Sequence, residues 1–494
     1  MGHVAGFDVG SQSLKGVLVE PGGVVAAAAA VSYDMAFPLP GHAEQDASVW
    51  TAALASVTRQ LLGDAGVSGE EVDTVAVAAQ VDGFLPVDGD GRPLAPAVIW
   101  MDRRAVAECD RLSECVSAED VFRITGLNCD AAHVAPKIMW LRANRPDVFS
   151  AARWFPSPAS FLVEWLTGER VIDPTNASST MVYDVARREW SPELLQAAGL
   201  VPEQLGTIVE SAAVVGGLSP RAVSALGLSS RTAVVAGCGD DFAACLGAGL
   251  VAPGVIGDVV GTAEPIAGSA AVPRFDETRL LETREHAVKG LWLLQNPGFV
   301  SGGSVRWWSE VIGVRTPVEF CELASQVPAG ADGVVFLPCL GGATTPEWNG
   351  HARGAFCGMT LSHDRRHLAR AVIEGCCFAF RDITDRLAEM EVVSGQDIRV
   401  VGGGAVSSFW CETKADVAGR PLRSVRGDHA TAVGAAMLAG VAGGEFDDLA
   451  QAADAMVRLD RVYEPSARAH ERYEASYGAY RQAFSSLQDV GWAA

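Results

Sequence analysis

The stretch Val4-Ala5-Gly6-Phe7-Asp8-Val9-Gly10-Ser11-Gln12-Ser13-Leu14-Lys15-Gly16-Val17-Leu18-Val19-Glu20 carries the clearest structural signal in the chain. Residues 4–9 are β-rich, Gly10-Ser11-Gln12-Ser13 is a turn, and residues 14–20 alternate, so the segment reads as strand, turn, strand. Pro21-Gly22-Gly23 is a second turn, and residues 24–33 resume a strand. Trp50, Leu54, Val57 and Leu61 recur at helical spacing and predict a helix over residues 47–62. A strand over residues 72–79 follows, and Gly89-Asp90-Gly91 reads as a hairpin tip. Three strands, a helix and further strands open a ribonuclease-H-like α/β domain.

The pattern recurs in the second half. Asp258-Val259-Val260-Gly261-Thr262 echoes Asp8-Val9-Gly10-Ser11, each a strand ending in glycine plus a hydroxyl residue. Two such turns suggest a duplicated fold with a nucleotide between its halves. Residues 364–390 form a long helix, with Leu368, Ala371, Val372, Gly375, Cys376 and Ala379 as its packed face. A strand over residues 398–401 feeds directly into Gly402-Gly403-Gly404, and helices are expected over residues 410–417 and 430–440. The domain boundary is expected near residues 248–253.

Composition narrows the function. A chain of 494 residues is too long for one core and fits two large domains. A formal net charge of −22 opposes a nucleic-acid or anionic-membrane partner. It also means that any phosphate site is local, built from backbone N–H groups, a metal and a few basic residues. The 11 cysteines contain no CxxC and read as free thiols of a reducing cytoplasm. The opening MGHVAGFDVG lacks a basic segment before an apolar one, so no signal peptide is expected.

Phosphoryl transfer needs positioned phosphates, a metal and a group to take the hydroxyl proton. In the octet from Asp8 to Lys15, Asp8 suits Mg²⁺ through water, the N–H groups of Gly10 and Ser11 suit the γ-phosphate, and Lys15 can reach it. The same octet is also ordinary hairpin chemistry with a solvated lysine. Gly237-Cys238-Gly239-Asp240-Asp241 follows an apolar strand over residues 232–236. A carboxylate there projects at the strand's end, where active sites concentrate, and Asp240 is the candidate general base. A helix cap is the competing reading, with Asp241 as cap or second ligand. Gly261-Thr262 is the candidate for the β-phosphate. Gly402-Gly403-Gly404-Ala405 lets backbone approach a nucleotide. Neither GxGxxG nor the Walker pattern is present. For the acceptor, Gln80-Val81-Asp82 and Trp100-Met101-Asp102 sit at strand ends. A ring covers sugar C–H faces and a carboxylate accepts hydroxyl protons, although Trp100 is equally ordinary core material.

Taken in order, these motifs resemble the FGGY carbohydrate kinases over nearly the whole chain. The resemblance includes Asp8 to Lys15, Glu44-Gln45-Asp46, Trp100-Met101-Asp102-Arg103-Arg104, Lys137-Ile138-Met139-Trp140, Gly261-Thr262 and Gly402-Gly403-Gly404. Its most specific piece is Gly354-Ala355-Phe356-Cys357-Gly358-Met359 followed by residues 367–374. The resemblance implies two actin-like ATPase domains, residues 1–249 for sugar binding and the base and 250–494 for ATP, with a central cleft between them. It places Asp240 on the family's base and also beside its metal with Asp8. Gly10, Ser11, Gln12 and Lys15 fall on the γ-phosphate turn, and Gly261, Thr262, Gly402, Gly403, Gly404 and Ala405 on the β-phosphate and adenosine segments. Gln80, Val81, Asp82, Trp100, Asp102 and Asp241 fall on the acceptor side.

Within the family the wording is nearest to the xylulokinases. Departures are Val81-Asp82-Gly83 where those carry Met-His-Gly, Asp241 where they carry Asn, Ala343-Thr344 for Glu-Arg, and Glu264 at a usually small position. The reading implied is ATP, with Mg²⁺, phosphorylating D-xylulose or another neutral ketose, polyol or cyclitol in the cytoplasm. A homodimer stays open. A non-catalytic actin-fold ATP switch would need a peptide-binding domain or self-assembly surfaces, and no appended domain is visible.

Overall fold

The computed structural model describes residues 2–392, 397–427, 429–488 and 490. In the first half, β1 (His3–Val9), β2 (Ser13–Glu20) and β3 (Val24–Ser32) form an antiparallel meander, followed by α1 (Ala47–Ala65). Asp46 caps α1 by accepting from the Ser48 N–H, and Gly66 ends it with φ 67°, a conformation glycine adopts without penalty. The helix buries Trp50, Leu54, Val57 and Leu61, so the helical spacing in the sequence marks its inner face. Strand β4 (Val72–Ala79) runs parallel to β1. Beyond it come α2 (Val134–Asn144), α3 (Pro174–Ser178), β5 (Val214–Gly217), β6 (Ala233–Val235), β7 (Cys238–Gly239) and α4 (Asp240–Gly247).

The second half repeats the plan. Strands β8 (Val255–Val260) and β9 (Ala263–Ala270) form a hairpin, and β10 (Glu282–Glu285) and β11 (Trp292–Val300) extend the antiparallel run. The long helix α5 (Arg365–Glu389) starts on the side chain of Asp364 and leads to β12 (Asp397–Gly402). Helix α6 (Ser408–Ala418), β13 (Leu422–Val425), α7 (Ala430–Ala442) and β14 (Leu459–Tyr463) follow.

The strands named above form two seven-stranded sheets, and short two-stranded pairs stand apart from them. The first runs β5-β6-β4-β1-β2-β3, with β7 also on β4, and the second runs β10-β11-β9-β8-β12-β13-β14. In each, a meander opens the sheet and a later strand adds in parallel to the meander's first strand: β4 to β1, and β12 to β8.

The halves share a core. Val4, Ala76 and Phe242 of the first pack in one buried cluster with Leu293, Val401, Ala436 and Met437 of the second. Helix α7 makes this contact because it is small along its length. A Cβ on Gly434 would lie 1.9 Å from the Ala243 carbonyl oxygen of α4, and one on Gly6 of β1 would lie 2.1 Å from that of Ala432. No helix among the described residues is long and apolar enough to cross a membrane.

Candidate active site

Register brings the first set of candidates together. Val9 pairs with Ala79 and Gly239 pairs with the same Ala79, and all three strands run parallel. Their carboxyl ends therefore release Gly10, Gln80 and Asp240 side by side, the end of an α/β sheet where ligands bind. Two glycines permit this. Gly237 has φ 76°, and a Cβ there would meet the Val77 carbonyl oxygen at 2.0 Å. A Cβ on Gly239 would meet Val81 Cγ1 at 2.2 Å. The Gly239 N–H is anchored on Thr175 Oγ1 at 2.9 Å.

Asp240 is the first residue of α4, after Gly239 as the cap residue, so neither aspartate caps the helix. Its carboxylate accepts the N–H of Asp241 at 3.0 Å and also that of Val81. Burial pushes its pKa well above the usual carboxylate range, and the charges of Asp241 and Asp8 push it further. Burial likewise raises Asp8 to about 6, against the pull of Lys15 and with a push from Asp241. Three acids thus crowd one sheet end.

The first glycine turn is braced from behind. Tyr33 donates to the Gly10 carbonyl at 2.7 Å, and Gln45 donates to the Ser11 carbonyl at 2.7 Å. Gln45 also accepts from Gln80 at 2.8 Å and from Trp50 at 2.9 Å. The Gly10 N–H is already given to the Ser13 carbonyl at 3.1 Å, and the Gly261 N–H to the Ala263 carbonyl at 2.9 Å. This corrects the expectation for Gly10: the glycine makes the turn, and a phosphate would be met by the N–H groups that follow it. Gln12 is exposed, and Lys15 stands opposite Asp8 on β2.

The second turn mirrors the first. Val260 pairs with Gly402, so the exposed Gly261 and Thr262 lie beside Gly403, Gly404 and Ala405. Gly402 has φ 90°, and a Cβ on Gly404 would strike Val260 Cγ1 at 2.3 Å. Beneath the turn, Asp258 and Glu264 are fully buried against one cation, Lys414 of α6, which lies 2.8 Å from Glu264 and closer still to Asp258. Burial pushes Glu264 up to about 8, against Lys414 and with help from Asp258. The acid at position 264 thus has a partner that the sequence did not reveal.

On the acceptor side, Gln80, Val81 and Asp82 are buried, and Asp82 has a left-handed φ of 57°. Its carboxylate meets His133 Nδ1 at 2.9 Å and Arg284 Nη2 at 3.5 Å. Burial alone would raise Asp82, but Arg284 and His133 hold it well below the ordinary range. His133, flanked by Asp82 and by Glu282 at 3.6 Å, is pushed up to about 10 despite its burial. Lys137 of α2 donates to the carbonyls of Asp82 and Ile99, at 2.8 Å each. Asp241 accepts from Gln295 of β11 at 3.1 Å.

The expectation for Asp102 needs correction. It is fully buried, and its carboxylate is filled by the Ala43 N–H at 2.6 Å and by Arg104, which folds back onto it at 2.7 Å. It braces a loop and has no free lone pair for a sugar. Trp100 is 39% exposed, which removes the core reading. Sequence reasoning missed His133, Glu282, Arg284, Gln295 and Lys414. Among the described residues no three His, Cys, Asp or Glu side chains form a ready metal cage.

A duplicated sheet pair with a glycine turn at matching strand ends is the ribonuclease-H-like, actin-like ATPase fold. The profiles described as the FGGY family of carbohydrate kinases match residues 3–247 with the N-terminal domain and residues 261–443 with the C-terminal domain. The chain belongs to the FGGY family of carbohydrate kinases, phosphotransferases with an alcohol group as acceptor. It is 28% identical to a xylulose kinase of Lactococcus lactis over 99% of this chain and 98% of that protein. It is 31% identical to a glycerol kinase of Aromatoleum aromaticum over 100% of both. The crystal structure of a gluconate kinase from Lactobacillus acidophilus superposes with a TM-score of 0.92 at 26% identity over 99% of each chain. The family implies ATP as phosphoryl donor.

Proposed function

We propose that this kinase transfers the γ-phosphoryl group of ATP to a hydroxyl of a neutral sugar or polyol, with D-xylulose as the first candidate. The reading rests on one observation above all: Asp240 stands at a sheet end, beside Asp8 and the first glycine turn, with its pKa raised by burial and by like charge. A carboxylate whose basicity is raised in this way is a better acceptor for a hydroxyl proton than an ordinary one.

The steps assigned to the chain are few. Asp240 takes the acceptor's proton as the new O–P bond forms and the bond between the β,γ-bridging oxygen and the γ-phosphorus breaks, releasing ADP. The turn after Gly10 holds the γ-phosphate, and the turn after Gly261, with the Gly402-Gly403-Gly404-Ala405 segment, holds the β-phosphate and adenosine. Asp8 and Asp240 suit a magnesium ion, because two mutually repelling carboxylates beside a phosphate turn are what this cation takes along with phosphates and waters. When bound, it neutralises triphosphate charge. Gln80, Asp82, Trp100 and Asp241 line the acceptor side. We assign the acceptor and base to a domain of residues 1–249, ATP to residues 250–494, and the enzyme to a reducing compartment, since its 11 cysteines are unpaired. The glycerol kinase likeness favours a second reading, another neutral ketose, polyol or cyclitol.

A coupled ADP-release assay over neutral ketoses, polyols and cyclitols tests this. Turnover with one of them is expected, and Asp240→Asn should lower kcat roughly 10³-fold or more with ATP affinity kept. Full activity in that variant refutes the base, and no turnover across the panel refutes the substrate class.

A further inference from the structure

Strands β10 and β11 carry groups that the phosphoryl chemistry leaves unused. Glu282 pairs with Gln295 and Arg284 with Leu293, so Glu282, Arg284 and Gln295 share one sheet face. That face meets the acceptor side of the other half. Arg284 is 2% exposed and is held by Glu282 at 2.9 Å, Ser179 Oγ at 3.0 Å and Asp82 at 3.5 Å. All of these use its two terminal nitrogens. Its Nε–H has no partner among the described residues, and neither has Gln295 Oε1, although both are buried. A buried guanidinium N–H without an acceptor forfeits its hydration with no return, so such a donor is rarely left idle without purpose.

Charge decides what this donor can take. Asp82, Glu282 and Asp241 all act on Arg284, and His133 bonds to Asp82. Glu282 and Asp82 contact the guanidinium and Asp241 acts on it from further away, so three carboxylates offset Arg284 and His133 and leave no surplus positive field for an anionic acceptor.

We propose that Arg284 is a specificity-determining residue of the acceptor pocket: its Nε–H donates to one acceptor hydroxyl, Gln295 Oε1 accepts from a neighbouring one, and the acceptor is therefore an uncharged vicinal diol. This inference rests on the sugar-kinase reading above and narrows its substrate class. Because Arg284 and Gln295 come from the second half and Asp82 and Asp241 from the first, the pocket is complete only with both halves in place.

The test uses the full-length enzyme with its best acceptor from the neutral panel, that acceptor's mono-deoxy analogues, and the matching aldonate. KM and kcat are measured for wild type, Arg284→Met and Arg284→Lys. One deoxy analogue should be a poor substrate for wild type, and the aldonate poorer than the parent. Arg284→Met should raise the acceptor KM roughly 10- to 100-fold, with the ATP KM within about twofold, and should bring that deoxy analogue level with the parent. Arg284→Lys keeps the charge but not the Nε–H, so it should fold and show the same loss of discrimination even where the Met variant does not fold. Unchanged discrimination in the Lys variant, equal rises in both KM values, or a wild-type preference for the aldonate would overturn the inference while leaving the kinase reading standing. Absence of wild-type turnover with any panel member would instead overturn that reading, and this inference with it.

Discussion

Single residues at this site are set by their electrostatic company. His133 shows it most clearly. Its pKa of about 10, against the ordinary 6.5, makes it a cation at neutral pH, clamped between Asp82 and Glu282. A histidine raised in this way contributes stability that is fully present below its unfolded pKa and lost as pH rises through its folded pKa. His133→Gln should therefore lower the denaturation midpoint most at about pH 6, and the gap should shrink between 6.5 and about 10. Denaturant melts across that range check it, and a gap that does not change with pH would refute the charged pair. The place of Asp240 at a strand's end was legible from sequence, because a glycine-flanked turn follows an apolar strand there. Arg284 was not. Glu282-Thr283-Arg284-Glu285 reads locally as a solvated polar run, yet all four residues are buried. Tertiary partners, among them Asp82, Ser179 and Tyr183, explain the burial, and no local pattern encodes them.

At the scale of elements, the sequence reading carried furthest where one period ruled. The alternation and turns of β1 to β3, the spacing of α1 and the packed face of α5 are all local signals, and they place these elements within a few residues. Packing partners are non-local. The alanines and glycines of α7 signal close approach without saying to what, and the structure answers with α4 and β1. Gly434→Val should be among the costliest single changes in this helix, since its Cβ would sit 1.9 Å from a carbonyl oxygen that cannot rotate away. Overpacking of this kind typically costs about 1–3 kcal/mol, and here it also shifts the helix that begins at Asp240. A lower denaturation midpoint together with reduced kcat is expected, whereas Gly444→Ala, beyond the helix end with nothing within 4 Å, should leave packing undisturbed apart from backbone strain at φ 76°. An unchanged midpoint in Gly434→Val would mean that α7 does not lock the halves together.

At the scale of the molecule, duplication explains why two weak turns add up to a site. Each half ends its first strand in a glycine turn braced by a parallel neighbour, so two sheets present the same device. The shared core of β1, α4 and α7 ties these ends together. The repeat was visible in Asp8 to Ser11 and Asp258 to Thr262, but the roles of the two acids diverge. Asp8 stands at the site, whereas Asp258 is buried on Lys414 beneath its turn. The most direct measurement is a crystal structure of the full-length kinase with a non-hydrolysable ATP analogue and the best neutral acceptor. A γ-phosphate is expected at the turn after Gly10, a β-phosphate at the turn after Gly261, and an acceptor hydroxyl within hydrogen-bond reach of the Asp240 carboxylate. A triphosphate bound away from either turn, or a hydroxyl out of reach of Asp240 in the closed complex, would contradict this arrangement.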